Sequence, residues 1–264
     1  MGDSNHEEDY KQHFSPLLYL QRYYSGIEGN ILQDILTTKM QFWHEVFVEG
    51  KIEGRRLLDI GTGPSVHSII SASSHCDNIY LTDFVPQNRD ALKRWLRGDL
   101  QHSFESFFRF VVNKEGKGQS WDERENQLRR KISGIFHIDL RQDDPLAPNA
   151  MSKFDIITSS LCLEAASDDI AGYEAIVKRV GSLLKDGGHV VLYGHIGEHI
   201  YSVGEHSFPV VGINKEQVKS AWMKCGFRIV TWKQKPCREY PNADENFRGP
   251  FIMVAEKVGC NVHT

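Results

Sequence analysis

Apolar positions along the chain alternate between two periods. Short runs rich in branched residues predict buried strands, and the stretches between them repeat apolar residues three and four apart, as helices do. Strands are expected at Leu57-Leu58-Asp59-Ile60 and at residues 78–82, 133–139, 154–160, 189–193, 227–232 and 251–256. Helices are expected at 31–47, 65–74, 87–97, 168–185 and 215–225, with a hairpin near Tyr201 to Phe208 and a tight turn at Asp186-Gly187-Gly188. Alternating strands and helices argue an α/β fold: a mainly parallel sheet with helices on both faces, in one domain spanning 1–264. Residues 99–133 interrupt the alternation, aromatic first (Phe104, Phe107, Phe108, Phe110) and then mixed in charge from Lys114 to Arg130, which reads as a solvated surface. Residues 1–50, ahead of the first strand, are expected to be a largely helical segment. Within it Tyr10, Tyr19, Tyr23 and Tyr24 crowd around Pro16, either packing on the core or covering a ligand.

The first strand runs into Gly61-Thr62-Gly63-Pro64-Ser65. Paired glycines at a strand end permit backbone angles closed to other residues and let a ligand lie against bare main chain. Ser65 is placed to cap the next helix. Asp83 ends the second strand, 22 positions after Gly61, where nucleotide-binding folds place an acid for ribose hydroxyls. Asp139 closes the third strand and suits an adenine amino group. Val66 stands where a dinucleotide fingerprint needs its third glycine, and no phosphate-loop lysine is present. A nucleoside without a pyrophosphate fits, which points to S-adenosylmethionine. Asp59 either braces the turn or meets a ligand's ammonium group.

Composition narrows the classes. A net charge of -4 gives no basic field for nucleic acid or a membrane surface. No apolar run approaches a membrane span, and the polar N-terminus lacks the features of a signal peptide. Cys76, Cys162, Cys225, Cys237 and Cys260 are scattered without metal-ligand spacing, so no metal site is expected. The expectation is a monomer in a reducing, cytoplasmic compartment.

The chain resembles the small-molecule N-methyltransferases that act on phenylethanolamine, nicotinamide and indolethylamine. The resemblance rests on Phe14-Ser15-Pro16 with Tyr19-Leu20 and Tyr23-Tyr24, on Leu58-Asp59-Ile60-Gly61-Thr62-Gly63-Pro64, and on Thr82-Asp83-Phe84 with Asn88-Arg89. It continues through Asp139-Leu140, Ser160-Leu161-Cys162-Leu163-Glu164-Ala165, Gly187-Gly188 and Gly204-Glu205. It implies a class I methyltransferase (Rossmann-like) fold of seven strands, the last antiparallel, under an N-terminal cover. It also implies S-adenosylmethionine contacts at Tyr10, Tyr19, Tyr24, Gly61, Thr62, Gly63, Asp83, Phe84, Asn88, Asp139, Leu140 and Ser160. Relatives commonly carry a tyrosine where His67 stands.

For the substrate, the nicotinamide enzyme carries an aspartate where Gly194 stands and serines where Glu198 and Val210 stand. The phenylethanolamine enzyme has acids matching Glu164, Glu198 and Glu245 (or Asp244), a tyrosine matching Tyr201 and a lysine matching Lys39. Leu161 joins this substrate set. The resemblance therefore implies a carboxylate-lined pocket for a small aromatic or arylalkyl amine, with Glu198 as the main catalytic acid-base group and Glu245 and Glu164 in support. The alternatives are a nicotinamide or pyridine N-methyltransferase and a regulator that binds S-adenosylmethionine without turnover.

Overall fold

The computed structural model describes residues 10–27, 31–236 and 246–259, with side chains from residue 34 onward in the second stretch. Glu245 and Asp244, two acids assigned to the substrate pocket by resemblance, lie outside the described residues, as do Cys237 and Cys260.

The strands are β1 (Gly54–Ile60), β2 (Cys76–Asp83), β3 (Ile132–His137), β4 (Phe154–Ser160), β5 (Leu184–Ile196), the hairpin β6 (Ile200–Val203) and β7 (His206–Pro209), β8 (Phe227–Gln234) and β9 (Gly249–Lys257). Seven of them form one sheet in the order β3-β2-β1-β4-β5-β9-β8. The neighbours from β3 to β5 pair in parallel, and β9 runs antiparallel to both β5 and β8. Pleating sends successive side chains to opposite faces. Leu57 and Ile156 accordingly join one core, and Leu58 and Ile157 the other.

Helices cover both faces. On the first lie α2 (Ile31–His44), α3 (His67–Ile70), α4 (Pro86–Arg97), α5 (Glu105–Glu115) and α6 (Trp121–Lys131). They bury Met40, Trp43, Ile69, Trp95, Phe107 and Phe108, among others. On the second, α7 (Ile170–Leu183) and α8 (Lys215–Lys224) bury Tyr173, Ile176, Val177 and Trp222. Each fully buried Leu, Ile or Phe contributes about 1.5–3 kcal/mol of transfer free energy. The cover helix α1 (Pro16–Tyr23) starts on Pro16, with Ser15 Oγ accepting the Leu18 N–H at 3.4 Å. A small cluster of Phe14, Val203 and Phe208 joins the segment before α1 to the hairpin.

Several expected elements differ in detail. Helical periodicity through residue 47 reflects two geometries: α2 ends at His44, and Glu45–Glu49 continue as a π-helical turn. The formal capping position of α3 is Val66, but Ser65 Oγ, one residue earlier, accepts the His67 N–H at the helix start at 3.4 Å and also bonds His67 Nδ1 at 2.9 Å. The Asp186-Gly187-Gly188 turn lies inside β5. The register with β4 jumps from Phe154↔Leu184 to Ile156↔His189, and the extra residues loop out there. The interruption is not simply a solvated surface. Phe104, Phe107 and Phe108 are in the core, and Arg124 binds Glu115 through two nitrogens at 2.9 and 2.5 Å with both side chains buried. A pair buried at that depth holds because the planar guanidinium satisfies both carboxylate oxygens.

Candidate functional site

The strand order reverses between β1 and β4, the place where open α/β sheets bind ligands at the carboxyl ends of their strands. Gly61 leaves β1 at φ 65°, and an added Cβ there would lie 2.1 Å from Cys162 Sγ. Glycine thus lets the loops after β1 and β4 touch. Leu161 begins the second loop in the left-handed region at φ 56°, and its N–H donates to Tyr193 O at 3.0 Å. Strained backbone of this kind persists where surrounding structure over-determines it.

A cavity of about 360 Å³ opens at this switch point, within the ~300–1,000 Å³ usual for small-molecule sites. Gly61, Thr62 and Gly63 line it from the β1 turn, and Asp83, Phe84 and Asn88 from the end of β2 and the start of α4. Asp139 and Leu140 follow β3, and Ser160, Leu161 and Glu164 follow β4. Tyr10, Tyr19 and Tyr24 reach in from the cover, Lys39 from α2, and Glu198 and Tyr201 from beyond β5. Every described residue that the sequence singled out for cofactor or substrate therefore faces one cavity. Asp59 does not: it accepts Thr158 Oγ1 at 2.5 Å and Ser68 Oγ at 3.3 Å, so it braces the turn, and burial raises its carboxyl to about 6.

Asp83 organises one part of the cavity. Its Oδ2 accepts the Gly63 N–H at 2.7 Å, and its Oδ1 accepts the Val85 N–H at 2.8 Å and Asn88 Nδ2 at 3.1 Å. Three of the roughly four acceptor positions of a carboxylate are filled, which fixes its plane and leaves one for a ligand. Asn88 Oδ1 is buried with no hydrogen-bond partner among the described residues, and so is Glu164 Oε1. Buried polar atoms are ordinarily paired. Two such atoms on residues that line one cavity fit a polar ligand or ligands bound there. Asp139 Oδ1 accepts the Arg141 N–H at 3.0 Å, which aims its side chain.

The cover seals the cavity with phenols. Tyr201 OH donates to Tyr10 OH at 2.7 Å, and Tyr23 OH donates to Ser202 O at 2.9 Å. Burial raises the pKa of Tyr10, Tyr19, Tyr24 and Tyr201, keeping all four protonated. His67 lines the same wall, its ring centroid 4.8 Å from that of Tyr24, and burial lowers its pKa, which keeps it neutral.

Lys39, Glu164, Glu198 and His195 bring further polar side chains to the cavity. Burial lowers the Lys39 ammonium from 10.5 to about 7 against the attraction of Glu198 and Glu164, and raises the Glu164 carboxyl to about 7. Glu198 Oε2 lies 2.9 Å from His195 Nδ1. His195 and Phe247 also line the cavity, and no sequence motif marks them. The spacing of His195 and Glu198, three residues apart across the end of β5, is the available signal.

Lys39 gives a pH-dependent prediction. Below about 7 it is charged both folded and unfolded, and above 10.5 it is neutral in both. Between these values the unfolded chain holds the extra proton, so its contribution to stability rises with pH. Lys39→Met should be more stable than wild type at pH 7, by up to a few kcal/mol at about 1.4 kcal/mol per pKa unit. In urea denaturation that advantage should shrink steadily toward pH 10. An advantage independent of pH would contradict the buried, depressed ammonium.

Sheet order, glycine turn and strand-end acids together define the class I methyltransferase fold. A magnesium protoporphyrin IX methyltransferase from Synechocystis PCC 6803, solved with bound SAM, has the same fold at a TM-score of 0.57 and 14% identity, over 94% of each chain. The model of the NNMT/PNMT/TEMT family matches residues 3–258, and the chain belongs to that family. Phenylethanolamine N-methyltransferase of Macaca mulatta is 34% identical over 94% of this chain and 90% of its own. Human nicotinamide N-methyltransferase is 29% identical over 96% of each. As a member of this family the chain is an N-methyltransferase whose methyl donor is S-adenosylmethionine. No helix among the described residues is long and apolar enough to cross a membrane.

Proposed function

We propose that the enzyme methylates the nitrogen of a small aromatic or arylalkyl amine, and that one chain suffices for the reaction. The observation that carries this reading is the pair of cavity carboxylates, Glu164 and Glu198, set among aromatic walls. Above about pH 7, where the Glu164 carboxyl is ionised, its orphaned oxygen suits an ammonium donor better than a neutral carboxamide. The two relatives named above act on phenylethanolamine and nicotinamide respectively, so both substrate classes occur in the family.

S-adenosylmethionine supplies an electrophilic methyl group on its sulfonium. On this reading Asp83 takes the ribose hydroxyls with Asn88 beside it, Asp139 and Leu140 meet the adenine, and Gly61, Thr62, Gly63, Phe84 and Ser160 complete the seat. Tyr10, Tyr19 and Tyr24 close over it and exclude water. Glu198 and Glu164 attract the protonated amine, and Tyr201, Leu161 and Lys39 shape its pocket. A protonated amine has no lone pair, so a proton must leave before the nitrogen can attack. Glu198 accepts that proton, and the cavity walls hold the nitrogen in line. With its pKa near 7, Lys39 is substantially neutral at and above that pH and repels the cation little. Glu245, assigned alongside Glu198 by resemblance, lies outside the described residues and keeps only that assignment.

Position 194 weighs against nicotinamide as the preferred substrate. A Cβ on Gly194 would sit 2.7 Å from the Phe251 ring and 3.4 Å from Glu164 Oε1. The aspartate of the nicotinamide enzyme has no room here and would face another acid. Gly194→Asp should therefore lower the thermal midpoint by about 2–12 °C, an overpacking cost of about 1–3 kcal/mol, and gain no nicotinamide turnover. Improved nicotinamide turnover in this variant would favour the alternative. The substrate class itself is tested by calorimetry on the S-adenosylhomocysteine complex, with a phenylalkylamine and the matching phenylalkyl alcohol as probes. The amine should bind at least about tenfold more tightly, since a charge-assisted hydrogen bond contributes about 1.5–3 kcal/mol. Equal affinities would remove the carboxylates from substrate recognition.

A further inference from the structure

We propose that His195 is a positioning residue for Glu198, holding one carboxylate oxygen so that the other takes the substrate's proton. This rests on the reading of Glu198 as the proton acceptor.

The pair is built into the end of β5. His195 is the penultimate residue of the strand, and Gly197 then turns the chain at φ 74°. That turn brings Glu198 back over His195. Main-chain bonds fix it: the Gly197 N–H donates to Ile213 O at 3.0 Å, and the Arg248 N–H donates to Ile196 O at 2.8 Å. A Cβ on Gly197 would meet Asn246 O at 2.0 Å, so only glycine fits this turn. With the main chain fixed, the Glu198 side chain is what remains to be oriented.

The imidazole is itself held. Phe247 packs edge-on at 5.1 Å and Tyr193 at 5.7 Å, and Tyr193 OH lies 3.4 Å from His195 Nε2. The ring therefore presents Nδ1 to Glu198 Oε2 at 2.9 Å. Against an ionised carboxylate, Nδ1 carries the hydrogen and donates it, which sets the tautomer. Donation at Oε2 fixes the plane of the carboxylate. The ammonium's proton then passes to Oε1, the nitrogen keeps the electron pair, and no further reactant is needed. Packing would explain the two aromatic contacts but not a polar bond to a cavity-lining acid.

The test compares His195→Ala, →Asn and →Gln, each alone and in a Glu198→Gln background. The readouts are steady-state methyl transfer to a phenylalkylamine and calorimetric affinity for S-adenosylhomocysteine. Asparagine places an amide nitrogen where Nδ1 stands, and glutamine places it where Nε2 stands. We expect His195→Ala to lower kcat about 10–100-fold, the range of one charge-assisted hydrogen bond, with cofactor-product affinity within about twofold. His195→Asn should recover most of that loss and His195→Gln little of it. In the Glu198→Gln background His195→Ala should cost less than about twofold more, because residues acting through one another are not additive. Additive losses, equal behaviour of Asn and Gln, or unchanged kinetics for all three would overturn the proposal. If His195→Ala does not fold, the Asn/Gln contrast still decides it. An unimpaired Glu198→Gln enzyme would instead overturn the role of Glu198 itself. An unimpaired Glu198→Gln enzyme that is still sensitive at His195 would make the histidine act on its own.

Discussion

Replacing Glu198 by glutamine is expected to lower kcat on a protonated arylalkylamine about 10²–10³-fold, within the range of general acid-base catalysis. Glutamine keeps the shape and accepts a hydrogen bond, but it neither attracts the cation nor takes its proton. Glu198 bonds His195, whereas Gly63, Val85 and Asn88 are what hold Asp83, so S-adenosylhomocysteine affinity should stay within about twofold, a shift under ~0.5 kcal/mol. The defect should be smallest for an amine already neutral at assay pH, such as a pyridine. A substrate that needs no deprotonation gains nothing from a base. Equal losses on both substrates would mean that Glu198 shapes the pocket without handling a proton.

Replacing Asp83 by asparagine should do the reverse. The buried carboxylate accepts two main-chain N–H groups, from Gly63 and Val85, and the Asn88 amide. An asparagine turns an NH₂ group toward one of these donors, leaving it unpaired at a cost of about 1–3 kcal/mol. At about 2–4 °C per kcal/mol in a chain of this size, the thermal midpoint should fall by several degrees. Loss of the charged ribose acceptor should weaken S-adenosylmethionine binding at least about 30-fold, some 2 kcal/mol, while kcat at saturating cofactor changes far less. Unaltered cofactor affinity would overturn the ribose assignment.

Much of this arrangement is legible in the residues. Branched apolar runs such as Leu57-Leu58-Asp59-Ile60 have few ways to be buried other than as central parallel strands. The Gly61 turn then falls at the switch point, and Asp83 and Asp139 reach the same cavity because β2 and β3 run parallel to β1 and end on the same edge of the sheet. What stays illegible depends on contacts between distant residues. Asp186-Gly187-Gly188 reads as a turn because its local chemistry is that of a turn, and only the register with β4 folds it into β5. Glu115 and Arg124 read as solvated charges because each alone would be, until the packing of α5 on α6 buries them as a pair. Asp59 reads equally as brace or ligand contact, and its partner Thr158, on a neighbouring strand, decides for the brace. The pairing of His195 with Glu198 depends on a glycine turn fixed by Ile213 and Arg248, far along the chain. Sequence spacing reveals such a pair only after the turn is known.

Competitive turnover tests the central claim most directly. The enzyme is given methyl-labelled S-adenosylmethionine with an equimolar mixture of a phenylalkylamine and nicotinamide, and the label on each product nitrogen is counted. Carboxylates that select a cation over a neutral carboxamide predict label on the amine in at least about tenfold excess. Excess label on the nicotinamide ring nitrogen would contradict the account, as would tight cofactor binding with no label on either.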